Sequence, residues 1–369
     1  MNAMVWRRVF ASMATACGIA ISAGAAQSAG PQTPNEVFRE ARRIVAPDGV
    51  SEQRVVRLGG IDQWVSVRGR SKNNPILLFL HGGPGYTSIP SSWLHFAPWE
   101  EYFTVVQWDQ RGAGKTYALN APDAVKPTLN IDRILADAEE LVAHLRKTYG
   151  KDRIVLVGHS WGTVLGARLA YEHPEWFYVY AGIGQLVDTQ RSEKLGYEET
   201  LRRARADGNA RAIADLESVA PFPDPPGTPF DVARLDKERT WLAHYGGYVW
   251  PQGDGWDGAI GRYSPDYSAA DAKARDDGLR LSLDALWPSI NALDYTKYRQ
   301  FRCPIVMLQG RHDTNVSSTV LAQWYATIEA PDKKLVWFEQ SAHMPFEEEP
   351  GRFLVSLVRD VLPFAQAQR

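Results

Sequence analysis

The chain has 369 residues, 44% of them hydrophobic, with 41 Lys plus Arg against 43 Asp plus Glu and a formal charge of −2. That length admits two domains or one large domain with an insertion; there is no basic excess to argue for nucleic acid, and no like-charge block reads as an interaction tail. Two cysteines are too few for a disulfide framework, and eight scattered histidines, none paired at helical spacing, give no metal-ligand cluster and call for no cofactor.

In chain order, Arg7 and Arg8 precede an uncharged, small or apolar stretch from Val9 to Ala26 that ends in Ala23, Ala25 and Ala26. This is the pattern of a cleavable export signal over residues 1–28, which would deliver the protein to the periplasm or medium. The stretch is too short and too rich in Ala, Gly and Ser to span a bilayer, so no stable membrane insertion is expected. Cys17 would leave with the signal, and Cys303, ahead of a Pro-Ile-Val-Met-Leu run, reads as a buried apolar residue.

Residues 55–68 read as two strands turned at Gly59-Gly60. Continuous apolar runs at 75–80 and 103–108 suit strands buried on both faces. Ile131, Ile134, Leu135, Ala138, Leu141, Val142 and Leu145 fall at helical spacing, with Gly150 where a C-cap belongs. A strand at 154–157, a helix from Trp161 to about Tyr171 and a strand at 178–182 follow. The alternation then lapses and resumes with a strand at 305–310, a helix near 319–328, a strand at 334–338 and a closing amphipathic helix. This predicts an α/β fold with a mostly parallel, doubly wound sheet. The expected layout is core at 29–185, a mainly helical cap at 186–298 and core again at 299–369.

Gly158-His159-Ser160-Trp161-Gly162 lies between a predicted strand and helix, the context of a nucleophile elbow. His81-Gly82-Gly83-Pro84-Gly85 follows the first long buried strand, where a second oxyanion donor is drawn; Gly83 is favoured, with Gly82 next, alongside the N–H of Trp161. Asp313 and His343 follow the last two predicted strands, so Ser160, Asp313 and His343 occur in the chain order of an α/β-hydrolase triad. Gly112-Ala-Gly-Lys-Thr116 imitates a phosphate-binding loop, but Asp109 stands where its first glycine belongs and the following residues read as loop, so nucleotide binding is not expected.

Together with Trp108-Asp-Gln-Arg-Gly-Ala-Gly114 and Gly310-Arg-His-Asp313, these motifs resemble the proline iminopeptidase family over about residues 50–185 and 300–365. The resemblance implies an α/β-hydrolase fold with a helical cap after the sixth strand, and release of an N-terminal proline or similar small residue from a small or short-peptide substrate. Asp109 and Arg111 match a segment whose charged pair is expected to brace the loop beneath the site. In that family acidic cap residues hold the free amine, and Glu198, Glu199, Glu217 and Glu238 are the candidates here. The core does not set proline specificity, so an esterase, lactonase or amidase on the same triad is the alternative.

Overall fold

The computed structural model describes residues 33–251, 253 and 257–367; the expected signal, residues 1–28, lies outside them. The described residues contain one eight-stranded sheet. Its strands are β1 (Val50–Leu58), β2 (Ile61–Gly69), β3 (Ile76–Leu80), β4 (Thr104–Asp109), β5 (Ile154–His159), β6 (Phe177–Ile183), β7 (Ile305–Gly310) and β8 (Lys333–Phe338). They run in the order β1-β2-β4-β3-β5-β6-β7-β8. The β1–β2 hairpin and the β2–β4 pair are antiparallel, and every other pair is parallel.

The central strands are buried throughout because helices cover both faces. Successive side chains of β3 point to opposite sides, so Ile76, Leu78 and Leu80 enter one apolar core while Leu77 and Phe79 enter the other. Each such side chain contributes roughly 1.5–3 kcal/mol by leaving water. The helix Ile131–Tyr149 buries the face predicted for it, starts where the Asn130 side chain accepts from Arg133 N, and stops at Gly150 with φ 61°. Cys303 is buried, which pushes its thiol up to about 12 and leaves it unreactive.

Between β6 and β7 the chain forms the cap, with helices Thr189–Ala206, Ala210–Glu217, Val232–His244, Asp257–Gly261 and Ala269–Asn291. Tyr197, Leu216, Val219, Phe222 and Leu235 give it an apolar core of its own.

Two expectations fail locally. Residues 114–119 are helical, not loop. The helix forms because the Asp109 carboxylate accepts from Lys115 N at 2.8 Å, filling the place a phosphate would take. Nor do Asp109 and Arg111 pair with each other. Arg111 donates to both oxygens of Asp137, at 2.7 and 3.1 Å, and to Gly59 O at 2.9 Å. Asp109 accepts instead from the hydroxyls of Thr87 and of Tyr267, a cap residue. Burial pushes Asp109 up to about 6 against the pull of these donors.

Candidate active site

Ser160 stands at the junction of β5 and the helix Trp161–Glu172, with φ 52° and ψ −122°. Among the described residues it is the one non-glycine at positive φ, a conformation that costs roughly 1–3 kcal/mol and must be held in place. Ser160 N donates to Ile183 O at 2.8 Å, and Thr163 donates to Ser160 O through both its N–H and its hydroxyl, at 2.8 and 2.6 Å. The turn brings strand and helix backbones into contact, since a Cβ on Gly162 would lie 2.0 Å from Leu80 O. Only glycine fits there.

The loops after β7 and β8 carry Asp313 and His343 to the same carboxyl edge of the sheet. His343 Nδ1 donates to Asp313 Oδ2 at 2.9 Å, which leaves Nε2 as the nitrogen available to a serine hydroxyl. Asp313 is 1% exposed. Its Oδ1 accepts from Val316 N at 2.8 Å, and its Oδ2 also accepts from Gln309 Nε2 at 3.1 Å, so the carboxylate cannot rotate freely. Among the described residues no hydrogen bond joins Ser160 Oγ to His343. In unliganded hydrolases this contact commonly tightens only once substrate is bound.

The loop after β3 lies directly over the serine: a Cβ on Gly82 would be 3.2 Å from Ser160 Cβ. Among the described residues the amides of Gly82, Gly83 and Trp161 have no acceptor. Unspent donors beside a nucleophile are what a developing oxyanion requires. Gln110, which the sequence did not single out, links these pieces: its side chain accepts from Trp161 Nε1 at 2.8 Å and donates to His81 O at 3.3 Å. His159 Nε2 meets His343 O at 3.1 Å, and burial, with His343 beside it, holds its pKa well below the usual histidine range, so it donates as a neutral ring.

Ser160 and His343 open into one cavity of about 500 Å³ between core and cap, walled by apolar side chains such as Leu235, Leu242, Leu283 and Trp287. The sequence pattern of the alpha/beta hydrolase family matches residues 77–357. The chain belongs to that family. Among curated relatives, the probable aminopeptidase YbaC of Bacillus subtilis is 29% identical over 82% of this chain and 93% of its own. A proline iminopeptidase of Heyndrickxia coagulans is 28% identical over 75% of this chain and 87% of its own. The solved structure of a proline iminopeptidase from Mycobacterium smegmatis, 20% identical, superposes with a TM-score of 0.63 over 86% of this chain and all of that one. The protein is a serine hydrolase of the alpha/beta hydrolase family, with the cap seated after its sixth strand.

None of the four cap glutamates that the family resemblance offers, Glu198, Glu199, Glu217 and Glu238, lines this hydrolase's cavity. Glu198 lies near Lys194 at the surface, and Glu217 meets Arg205. Glu199 is bound by Arg202 and Arg203, whose hydrogen bonds hold it down at about 2. Glu238 is fully buried behind Arg239, which bonds to it and also to Glu193 Oε1 at 2.5 Å. Three other carboxylates line the cavity, Glu193, Asp236 and Glu347; Glu193, on the first cap helix, is 5% exposed, and among the described residues its Oε2 has no hydrogen-bond partner. Helical spacing could have found it, because Glu193 falls on the buried stripe Thr189, Gly196, Tyr197, Thr200 and Ala204, whereas Glu198 and Glu199 lie off that stripe. A second grouping that sequence spacing concealed is Glu139, Glu172 and His173, whose ligand atoms converge at the surface. Glu172 also pairs with Arg168, and His173 stacks on Trp176.

Proposed function

We propose that the protein is an aminopeptidase that releases proline or a similar small N-terminal residue through an acyl-enzyme on Ser160. The observation that carries this reading is Glu193, a buried carboxylate with one unpartnered oxygen in the same cavity as Ser160. A substrate ammonium entering that cavity leaves water and needs an anionic partner. The names of the relatives support the same chemistry.

In this mechanism Ser160 Oγ attacks the carbonyl carbon of the N-terminal residue while His343 Nε2 takes the hydroxyl proton. Amides of Gly83 and Trp161 receive the negative oxygen. His343 then returns the proton to the departing amine, the C–N bond breaks, and water repeats the sequence on the ester to free the amino acid. Asp313 holds the imidazole in the tautomer this requires.

Losing a partner to a buried charge costs about 3–5 kcal/mol. Glu193→Gln should therefore lower kcat/KM for proline arylamides by about two to three orders of magnitude, and change that of an uncharged aryl ester of similar size by no more than about threefold. Equal losses on both substrates would end the amine-binding role and favour an esterase, lactonase or amidase acting on neutral acyl groups. The same kinetics carry a pH signature. Burial, with Glu193 beside it, pushes Glu238 up to about 7 against the pull of Arg239. As pH rises through that value the Glu193–Arg239–Glu238 group changes from neutral to net negative, so KM for the amine substrate should fall relative to the ester between pH 6 and 8. A flat ratio would count against the assignment.

We also propose export. The Arg7-Arg8 pair and the Ala-terminated stretch after it imply a mature chain that begins between about residues 24 and 31. Intact-mass measurement of protein recovered from periplasm or medium should show that truncation, and an intact Met1 there would refute cleavage.

A further inference from the structure

His343 sits on a loop between β8 and the short helix Pro345–Glu348, and a loop aims a base only as well as its own backbone is held. Three consecutive amides centred on the base are committed. The Glu348 carboxylate accepts from Ala342 N and from Met344 N, each at 3.0 Å. His343 N donates to Tyr248 O at 2.9 Å. Tyr248 belongs to the cap, and the cap returns to the same carboxylate: Trp250 N donates to Glu348 Oε1 at 2.7 Å.

The stretch 247–250 also grips the loop of Asp313. Gly247 O accepts from Thr314 N and Asn315 N, each at 3.3 Å, and Trp250 stacks on His312 with ring centroids 3.6 Å apart. Its third face is the cavity, which Tyr248 lines beside Asn315, Val316 and Met344. One cap segment thus touches the substrate space and both loops of the His–Asp pair. A carboxylate suits the junction because it is an acceptor at every lone pair; a glutamine would turn its NH₂ toward one of the three amides.

We propose that Glu348 is a positioning residue for the His343–Asp313 pair, and that cap residues 247–250 transmit occupancy of the cavity to that pair through Glu348 and the Tyr248 carbonyl. The proposal rests on His343 as the base and is independent of the amine preference. Misplacing a catalytic group by about 1 Å can cost a factor of about 10², so the effect belongs in kcat.

The test counts intact sites by fluorophosphonate titration and then measures turnover per titrated site on a proline arylamide and on an aryl ester. Glu348→Gln is expected to lower kcat per site by about ten- to a hundredfold on both substrates, with KM within about threefold. Glu348→Asp, which keeps both oxygens, should recover at least about threefold of that loss. A merely structural role would reduce the number of titratable sites and the Tm while leaving kcat per site unchanged; that result overturns the proposal, as does a loss carried by KM alone. Should Glu348→Gln not fold, Trp250→Leu removes the stack on His312 and leaves the backbone bonds in place. It should lower kcat per site by about three- to tenfold, and wild-type turnover there also overturns the proposal. Failure of the unaltered protein to react with the probe would remove the nucleophile itself, and this inference with it.

Discussion

Ser160→Ala is expected to lower kcat by about four to six orders of magnitude on any substrate and to abolish fluorophosphonate labelling. Folding should survive. Among the described residues the hydroxyl makes no hydrogen bond, and what fixes the turn is the backbone of Ile183 and the side chain and backbone of Thr163. Alanine carries the same Cβ into the same strained φ, so the change in stability should stay within about 1 kcal/mol, a shift of a few degrees in Tm at most. The residual rate would come from the oxyanion donors and substrate binding alone. If the purified variant kept more than about a hundredth of wild-type turnover, another group would have to be the nucleophile.

Asp313→Asn should be nearly as severe, at about three to four orders of magnitude in kcat with KM little changed. Asparagine is the same size: its Oδ1 still accepts from Val316 N, and a flip of the Gln309 amide turns Oε1, which has no hydrogen-bond partner among the described residues, toward the new NH₂, so the backbone need not move. The damage is to the proton map. Asp313 accepts from His343 Nδ1, whereas an amide NH₂ turned toward that nitrogen donates to it and forces the proton onto Nε2. The nitrogen facing the serine can then no longer accept. Circular dichroism to confirm the fold, with steady-state kinetics per titrated site, is the measurement. Retention of more than about a tenth of the activity would reassign the orienting carboxylate.

Most of the core was legible because its signals are local. Continuous apolar runs at β3 and β5, the glycine pair around Ser160, and the placement of Asp313 and His343 just beyond strands depend on residues adjacent in sequence. What escaped was set by partners far away. The helix at 114–119 needs the Asp109 carboxylate as its cap, and Asp109 in turn needs Tyr267, 158 residues on. Arg111 is claimed by Asp137 on the next long helix, a pairing no spacing rule announces. In the cap, Glu198 and Glu199 follow the sixth strand closely in sequence, but packing against other cap helices decides which face of that helix is inside. Glu193 had to be recognised by its stripe and not by its neighbourhood.

The cap is fastened to the core at several separate points: Tyr267 to Asp109, Ser192 Oγ to Ser317 N at 2.7 Å, and the Tyr248 carbonyl to His343 N at 2.9 Å. A roof bolted along more than one edge does not hinge up to admit a loop of folded polypeptide, and the room beneath it, about 500 Å³, is that of a small-ligand pocket. On the aminopeptidase reading proposed above, such a site would measure its substrate by a free end and trim loose fragments while its neighbours, and its own copies, pass untouched, so that selectivity against intact proteins would come from architecture before any side chain in the pocket is consulted.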